Sequence, residues 1–336
     1  MRAKGINYDA GIINFGANTH PDFDPKAVAA DMGVIRDDLH CTAVRVTGDD
    51  ADRLEIAARC AAEVGLEVWI SPFTLELPID ELLELLADLA ERAERLRCEG
   101  ADVVLVTGAE LSMFTPGFLP GATSGERLGA LFTATPDQRP ELLAGVSARI
   151  NEFLSAAVRV VRSRFRGPVT YASIHYEGVD WEAFDFIASD VYRTPEVADG
   201  FADGLRRLVS TGKPVAITEF GCATYAGAAE RGARAMEIVE YDGRVPVGLD
   251  GEYRRDEQGQ AEALRDLLHT MDEAGVDSAF VYTFANFHLP HRPGARADLD
   301  LAGYGVVKVI EGGATDSVRW EPKEAFDTVA GCYATA

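Results

Sequence analysis

The stretch RCEGADVVLVTGAE, residues 97–110, closes one regular element and contains the whole of the next. Gly100 ends a segment of helical period, 79 to 99, and suits a left-handed C-terminal cap. DVVLVTGAE (102 to 110) then has the length and the valine content of a strand. The order helix, glycine, strand recurs in AEVGLEV, STGKPV and DEAGVDS. Turns this short favour repeated β-α units.

Working outward, strand-like runs appear at GINY (5 to 8), TAVRVTG (42 to 48), LEVWISPF (66 to 73), PVTYASIHY (168 to 176), FDFIASDVY (184 to 192), PVAITEFG (214 to 221) and SAFVYTFANF (278 to 287). Helical period marks 25 to 39, 51 to 64, 138 to 164, 197 to 211, 257 to 274 and 322 to 331. A doubly wound open sheet would want a glycine-rich turn after the first strand, and GxGxxG is absent there. The pattern predicts an α/β fold, a (β/α)8 TIM barrel spanning residues 1–336 as a single domain. The long irregular segments follow strands four, seven and eight, at 111 to 136, 222 to 256 and 288 to 318. In such barrels the extended loops after the strands build the functional face.

The chain carries 32 basic against 55 acidic residues, a net charge of -23. That balance repels phosphate backbones and anionic lipid surfaces, so neither nucleic acid nor membrane is an expected partner. No apolar run reaches spanning length and the start lacks the pattern of a signal peptide, so a cytoplasmic location is expected. Cys41, Cys60, Cys98, Cys222 and Cys332 lack CxxC spacing and signal neither a zinc cage nor a disulfide framework.

Two carboxylates end two of the predicted strands. Strict alternation puts Val104, Val106, Gly108 and Glu110 on one face, and Val215, Ile217 and Glu219 on another. If both faces look into the barrel, the two acids meet above its axis, and a carboxyl pair flanking one bond is what glycoside hydrolysis requires. One must hold a proton near neutrality while the other stays ionised beside a cation or hydrogen-bond donors. Arg45, at the end of strand two, suits the cation, and Tyr192, ending strand six, suits the donor.

In these features the chain resembles the glycoside hydrolase superfamily of (β/α)8 barrels whose acid/base glutamate ends strand four and whose nucleophile ends strand seven. GINYD, AVRVTG, GAE, SDVY, ITEFG and VYTFANF, in that order, carry the resemblance over nearly the whole chain. It implies Glu110 as acid/base, Glu219 as nucleophile, Arg45 as a support and Tyr192 as a neighbour of the nucleophile. Two positions depart from the pattern. Ala109 stands where the family usually has the asparagine that binds the sugar 2-hydroxyl, and Tyr282, Phe284 and Phe287 stand where strand eight usually offers a tryptophan.

The expected partner is therefore a small-molecule substrate, a glycoside or related metabolite, handled by the carboxyl pair without a cofactor. Two alternatives remain open: cyclisation, isomerisation or dehydration of a metabolite by the same pair, and a catalytically silent barrel that only binds. Tyr8, His175, Tyr225, Tyr282 and Phe284 are candidate substrate contacts, with Tyr225 expected near Glu219 on a lid formed by 222 to 256. His288, His291, Asp298 and Asp300 lie in HLPHRPGARADLDL, but the proline between the histidines breaks helical ligand spacing and favours a structural role over a metal site.

Overall fold

The computed structural model describes residues 1–14, 16–311 and 319–334. Eight parallel strands form the central sheet: β1 Ala3–Asp9, β2 Ala43–Gly48, β3 Glu67–Pro72, β4 Val103–Ala109, β5 Val169–Ala172, β6 Ile187–Asp190, β7 Val215–Phe220 and β8 Ser278–Val281. Their order in the sheet is β5-β4-β3-β2-β1-β8-β7-β6, and a parallel bridge from Ser173 to Ser189 closes β5 onto β6. The molecule has the expected α/β TIM-barrel fold.

Among the described residues, these helices cover the strands: α1 Pro25–Asp37, α2 Ala51–Glu63, α3 Ile79–Cys98, α4 Arg139–Arg162, α5 Phe201–Val209, α6 Glu257–Ala274 and α7 Glu324–Ala334. Only turns join β5 to β6, as the missing helical period between them foreshadows. The glycines before β3, β4, β7 and β8 (Gly65, Gly100, Gly212, Gly275) all take positive φ, which is the conformation a left-handed helix cap demands.

Two hydrophobic layers stabilise the barrel. Val28, Met32, Leu54, Leu86, Ile150, Leu264 and other helix residues pack on Ile6, Val44, Val68, Leu105, Val169, Val215 and Ile217 from the outer strand faces. A smaller cluster fills the axis, with Trp69, Phe186 and Phe280 set among alanines and valines that include Ala43, Val104, Val106 and Ala216. A Cβ on Gly5 would stand 2.3 Å from the Phe280 ring, so β1 contributes a gap that this ring occupies.

The outer layer corrects the alternation read from the sequence. Val215 and Ile217 face the helices while Ala216 faces the axis. Against β6, Ile217 pairs with Ser189 and Glu219 with Asp190, so β7 holds one extra residue between them. β4 holds another between Val106 and Ala109, where Gly108 has φ 129°. Such bulges invert the facing of the strand residues that follow them, which brings Ala109 to the axis, while Glu110 lies past the strand and is aimed by its own left-handed backbone.

Three strands also end earlier than the apolar runs suggest: β5 stops at Ala172, β6 at Asp190 and β8 at Val281. The chain after 111 forms helices Leu111–Phe114 and Ser124–Thr133. A hairpin, Val239–Asp242 with Val245–Leu249, lies within 222 to 256. A second pairs Val307–Ile310 with Arg319–Pro322, while 312–318, the end of the segment expected after strand eight, lies outside the described residues. Among the described residues no helix is long and apolar enough to cross a membrane, and no disulfide joins the cysteines.

Candidate active site

The axis-facing rows become polar at the C-terminal ends of the strands. Asn7 follows Ala3 and Gly5 on β1, Arg45 follows Ala43 on β2, and Ser71 follows Trp69 on β3. Arg45 is fully buried; its Nε donates to Ser71 Oγ at 3.1 Å, and its Nη1 donates to the Thr218 carbonyl at 3.1 Å and to Asn7 Oδ1 at 3.3 Å. Asn7 Nδ2 donates to the carbonyls of Thr218 and Phe280. These bonds fix the guanidinium beneath the ends of β6 and β7.

Two carboxylates share that cation. Arg45 Nη1 lies 3.8 Å from Asp190 Oδ1 and 3.8 Å from Glu219 Oε2. Glu219 reaches it because of the extra residue in β7, and Tyr192 Oη donates to Glu219 Oε1 at 2.6 Å. Burial and then the Asp190 charge push the Glu219 carboxyl up to about 7, against Arg45 and the Tyr192 bond. Burial likewise raises Asp190, whose oxygens receive no well-formed hydrogen bond, although the Thr218 hydroxyl lies alongside. Arg45 Nη2 is also without a partner among the described residues.

Glu110 joins this group from the opposite side. It sits just past β4 with φ 46° and ψ 38°, and its amide donates to the Ala172 carbonyl of β5 at 2.9 Å. Burial first, then the charges of Asp190, Glu219 and Glu177, hold its carboxyl well above the usual range, with Arg45 opposing. Three acids thus surround one arginine, an imbalance that favours at least one retained proton.

The remaining candidates divide. Tyr282 lies on the Glu219 side: burial and then Glu219 raise its hydroxyl, and its ring packs on Tyr304 at 5.6 Å, as does that of Tyr192 at 5.9 Å. A Cβ on Gly221 would stand 2.4 Å from the Tyr282 carbonyl oxygen, so glycine permits the close approach of β7 and β8 beside the site. Tyr8 is different: it is fully buried towards α1, with its hydroxyl donating to Asp31 at 2.9 Å, because its position in β1 faces outward. Phe284 is equally buried, between Tyr8 and Trp320, since β8 has ended before it.

His175 is exposed, because β5 stops and the chain turns; Tyr176 is the neighbour that feels the charges of Glu177 and Glu110. Tyr225 is buried within the 222 to 256 loop, its hydroxyl donating to the Ala235 carbonyl and its ring 4.9 Å from Tyr253. It braces the loop rather than pointing at Glu219. The loop itself packs on Tyr192, Tyr282 and Tyr304, next to the acids.

After strand eight His291, Asp298 and Asp300 are absorbed by ion pairs, whereas the buried Nδ1 of His288 meets no hydrogen-bond partner among the described residues. Arg255 bonds Asp298 at 2.8 Å and Asp300 at 2.9 Å, His291 Nδ1 meets Asp298 at 2.9 Å, and Lys323 Nζ bonds Asp300 at 2.8 Å. Among the described residues no group of three or more His, Cys, Asp or Glu side chains is placed to hold a metal ion.

Sequence reasoning passed over Asp190, Glu177 and Tyr304. Asp190 ends β6 within SDVY and was visible as a strand-end acid, whereas Glu177 and Tyr304 lie in turns that offer no periodic signal.

Neither a family model nor a curated protein matches the chain. Solved structures do share its fold. A complex of a GH113 β-1,4-mannanase aligns with a TM-score of 0.60 at 17% identity, over 99% of both chains. A mutant form of Thermotoga maritima Cel5A with cellobiose gives 0.55 at 13% identity, over 98% of this chain and 97% of that one. A β-galactosidase from the psychrophilic Marinomonas ef1 gives 0.59 at 12% identity, over 98% of this chain and 58% of that one. The chain has the barrel fold of these glycoside hydrolases.

Proposed function

We propose that this chain is a glycoside hydrolase-like enzyme acting on a small sugar-containing substrate, with Glu219 as nucleophile and Glu110 as acid/base. The observation that carries this is the convergence of Glu110 and Glu219, from the ends of β4 and β7, around the buried Arg45. Glu219 attacks the anomeric carbon as Glu110 gives its proton to the departing oxygen; Glu110 then takes a proton from water, whose oxygen displaces Glu219. Tyr192 and Arg45 stabilise the Glu219 charge, and burial with neighbouring acids keeps the proton on Glu110. The sugar-processing neighbours of the fold support this substrate class, and the net charge of -23 supports a neutral or cationic molecule. A cytoplasmic enzyme built as a single barrel is part of the same proposal.

One observation favours a second reading, acid/base tailoring of a metabolite without hydrolysis. Ala109 removes the usual 2-hydroxyl ligand, and a Glu219 carboxyl poised near 7 beside Asp190 suits proton exchange. A panel of aryl glycosides separates the two. Under the hydrolase proposal, Glu219→Gln loses turnover on every substrate, whereas Glu110→Ala spares activated phenols and makes a β-azide from a β-glycoside when azide is added. Equal losses in both variants without anion rescue favour tailoring, and silence of the wild type across the panel removes the hydrolase proposal.

A further inference from the structure

We propose that Glu177, on the turn after β5, is a positioning residue that holds Glu110 in place to act as an acid. The inference rests on the acid/base role proposed for Glu110. Glu110 occupies the N-cap position of the short helix Leu111–Phe114, where a side chain ordinarily accepts a hydrogen bond from the second or third helical amide. Its own carboxyl makes no such bond. Glu177 makes it instead, across the gap between two loops: Ser112 N donates to Glu177 Oε1 at 3.0 Å. The cap is supplied from outside, which leaves the Glu110 side chain free to face Asp190 and Glu219.

The same carboxylate controls the residue between them. Leu111 N donates to Tyr171 Oη at 2.9 Å, and Tyr171 Oη donates to Glu177 Oε2 at 2.9 Å. Ile174 N donates to that oxygen as well, at 3.2 Å. Three consecutive amides, 110 to 112, are therefore held by β5 and its turn, and two of them end on Glu177 directly or through Tyr171. This matters because Glu110 takes a left-handed conformation that residues with a Cβ seldom adopt, and such a conformation persists only where its surroundings impose it. Glu177 is fully buried, so solvent screens its charge little. The groups whose charge bears on Glu110 are Glu177 from this turn, Asp190 from β6, Glu219 from β7 and Arg45 from β2, with the hydroxyls of Tyr171 and Tyr176 beside them.

Two variants divide position from charge. Glu177→Gln can keep the bond from Ser112 but removes the charge and the second acceptor; Tyr171→Phe keeps the charge and cuts the link to Leu111. On aryl glycosides both should slow poor leaving groups roughly ten- to a hundredfold while costing activated phenols less than about threefold, since a displaced acid matters only where its proton is needed. Only Glu177→Gln should also move the basic limb of the kcat/KM profile to lower pH, because a like charge beside the acid is gone. Carbon-13 NMR of labelled glutamate carboxyls reads the same shift without turnover: the Glu110 resonance, assigned by its loss in Glu110→Gln, should titrate at lower pH in Glu177→Gln than in wild type. An unmoved midpoint, or wild-type leaving-group dependence in both variants alongside a selective loss in Glu110→Ala, overturns the inference. Wild-type activity in Glu110→Ala instead overturns the acid/base role on which it rests.

Discussion

Two acid-rich regions of this molecule are built on opposite principles. Beneath the loops after β7 and β8, Arg255, Lys323 and His291 meet Asp298, Asp300 and Glu257, with contacts of 2.8 to 3.1 Å. Lys323 also donates to Thr224 Oγ1 at 2.8 Å. At the strand ends, among the described residues, Arg45 is the cation that bears on Asp190, Glu219 and Glu110; it approaches the first two no closer than 3.8 Å, and Asp190 has no well-formed hydrogen bond. In the first region the charge of each carboxylate is met by a close nitrogen partner, as buried ions require. In the second it is left unbalanced, and protons must make up the difference. The balanced cluster staples loops, whereas the unbalanced one is poised to give and take protons.

The sharpest contrast should come from removing one charge at each place. Glu219→Gln is expected to raise the barrier to turnover by about 4 kcal/mol or more while leaving folding intact, read as kcat on aryl glycosides beside a thermal melt. Lys323→Met, of similar length, should leave Asp300 with one partner fewer and cost about 3 kcal/mol of stability, measured by urea unfolding. Unchanged stability there would mean that the network holds nothing together.

A smaller effect of opposite sign is expected at Asp190. Asp190→Asn removes a buried charge that competes for Arg45 and that burial disfavours, so stability should rise at neutral pH. The Glu219 carboxyl should then titrate lower. A loss of stability would show that Asp190 is satisfied after all.

The smallest expected effect is in pH dependence. Glu219 and Glu177 are raised to about 7, and Asp9 and Asp31 to about 6, chiefly by burial. Each binds its proton more tightly in the folded chain than in the unfolded one. The stability this contributes is complete below the ordinary carboxyl range and is lost as pH rises through 6 and 7. His20 and His288, lowered to about 4 by burial, act in the opposite sense, losing stability as pH falls below the ordinary histidine range. A difference between two chains cancels these shared terms. Glu219→Gln cannot lose a proton, so it should gain on wild type by about 1 kcal/mol between pH 5 and pH 6, read as a widening gap in Tm. A constant gap would mean that Glu219 is ionised throughout.

Much of the barrel was legible because its cues are local. Gly65, Gly100, Gly212 and Gly275 mark helix ends through their own backbone freedom, and the eight apolar runs announce strands through composition. Glu110 and Glu219 stood out as carboxylates at strand ends, yet the strict alternation that brought them together did not survive. Ile217 faces the helices, and the extra residue in β7 turns Glu219 inward. A bulge is a difference in residue count between two neighbouring strands, so it cannot be seen in either strand alone. Tyr8 and Phe284 lie away from the acids for a related reason: the face of β1 and the end of β8 are set by their partners.

The sequence by itself therefore determined the class of fold, the face on which the long loops gather and the chemical types available there. Each of these depends on periodicity, caps and composition, which act over a few residues. Only the tertiary structure decided that Asp190 would join Glu219 on one guanidinium, that Glu177 would cap a helix belonging to another loop, and that His291, Asp298 and Asp300 would be consumed by Arg255 and Lys323. These are pairings between residues far apart in the chain. Their geometry is fixed by barrel closure and strand register, and the charge each side chain carries is fixed by the neighbours that closure brings.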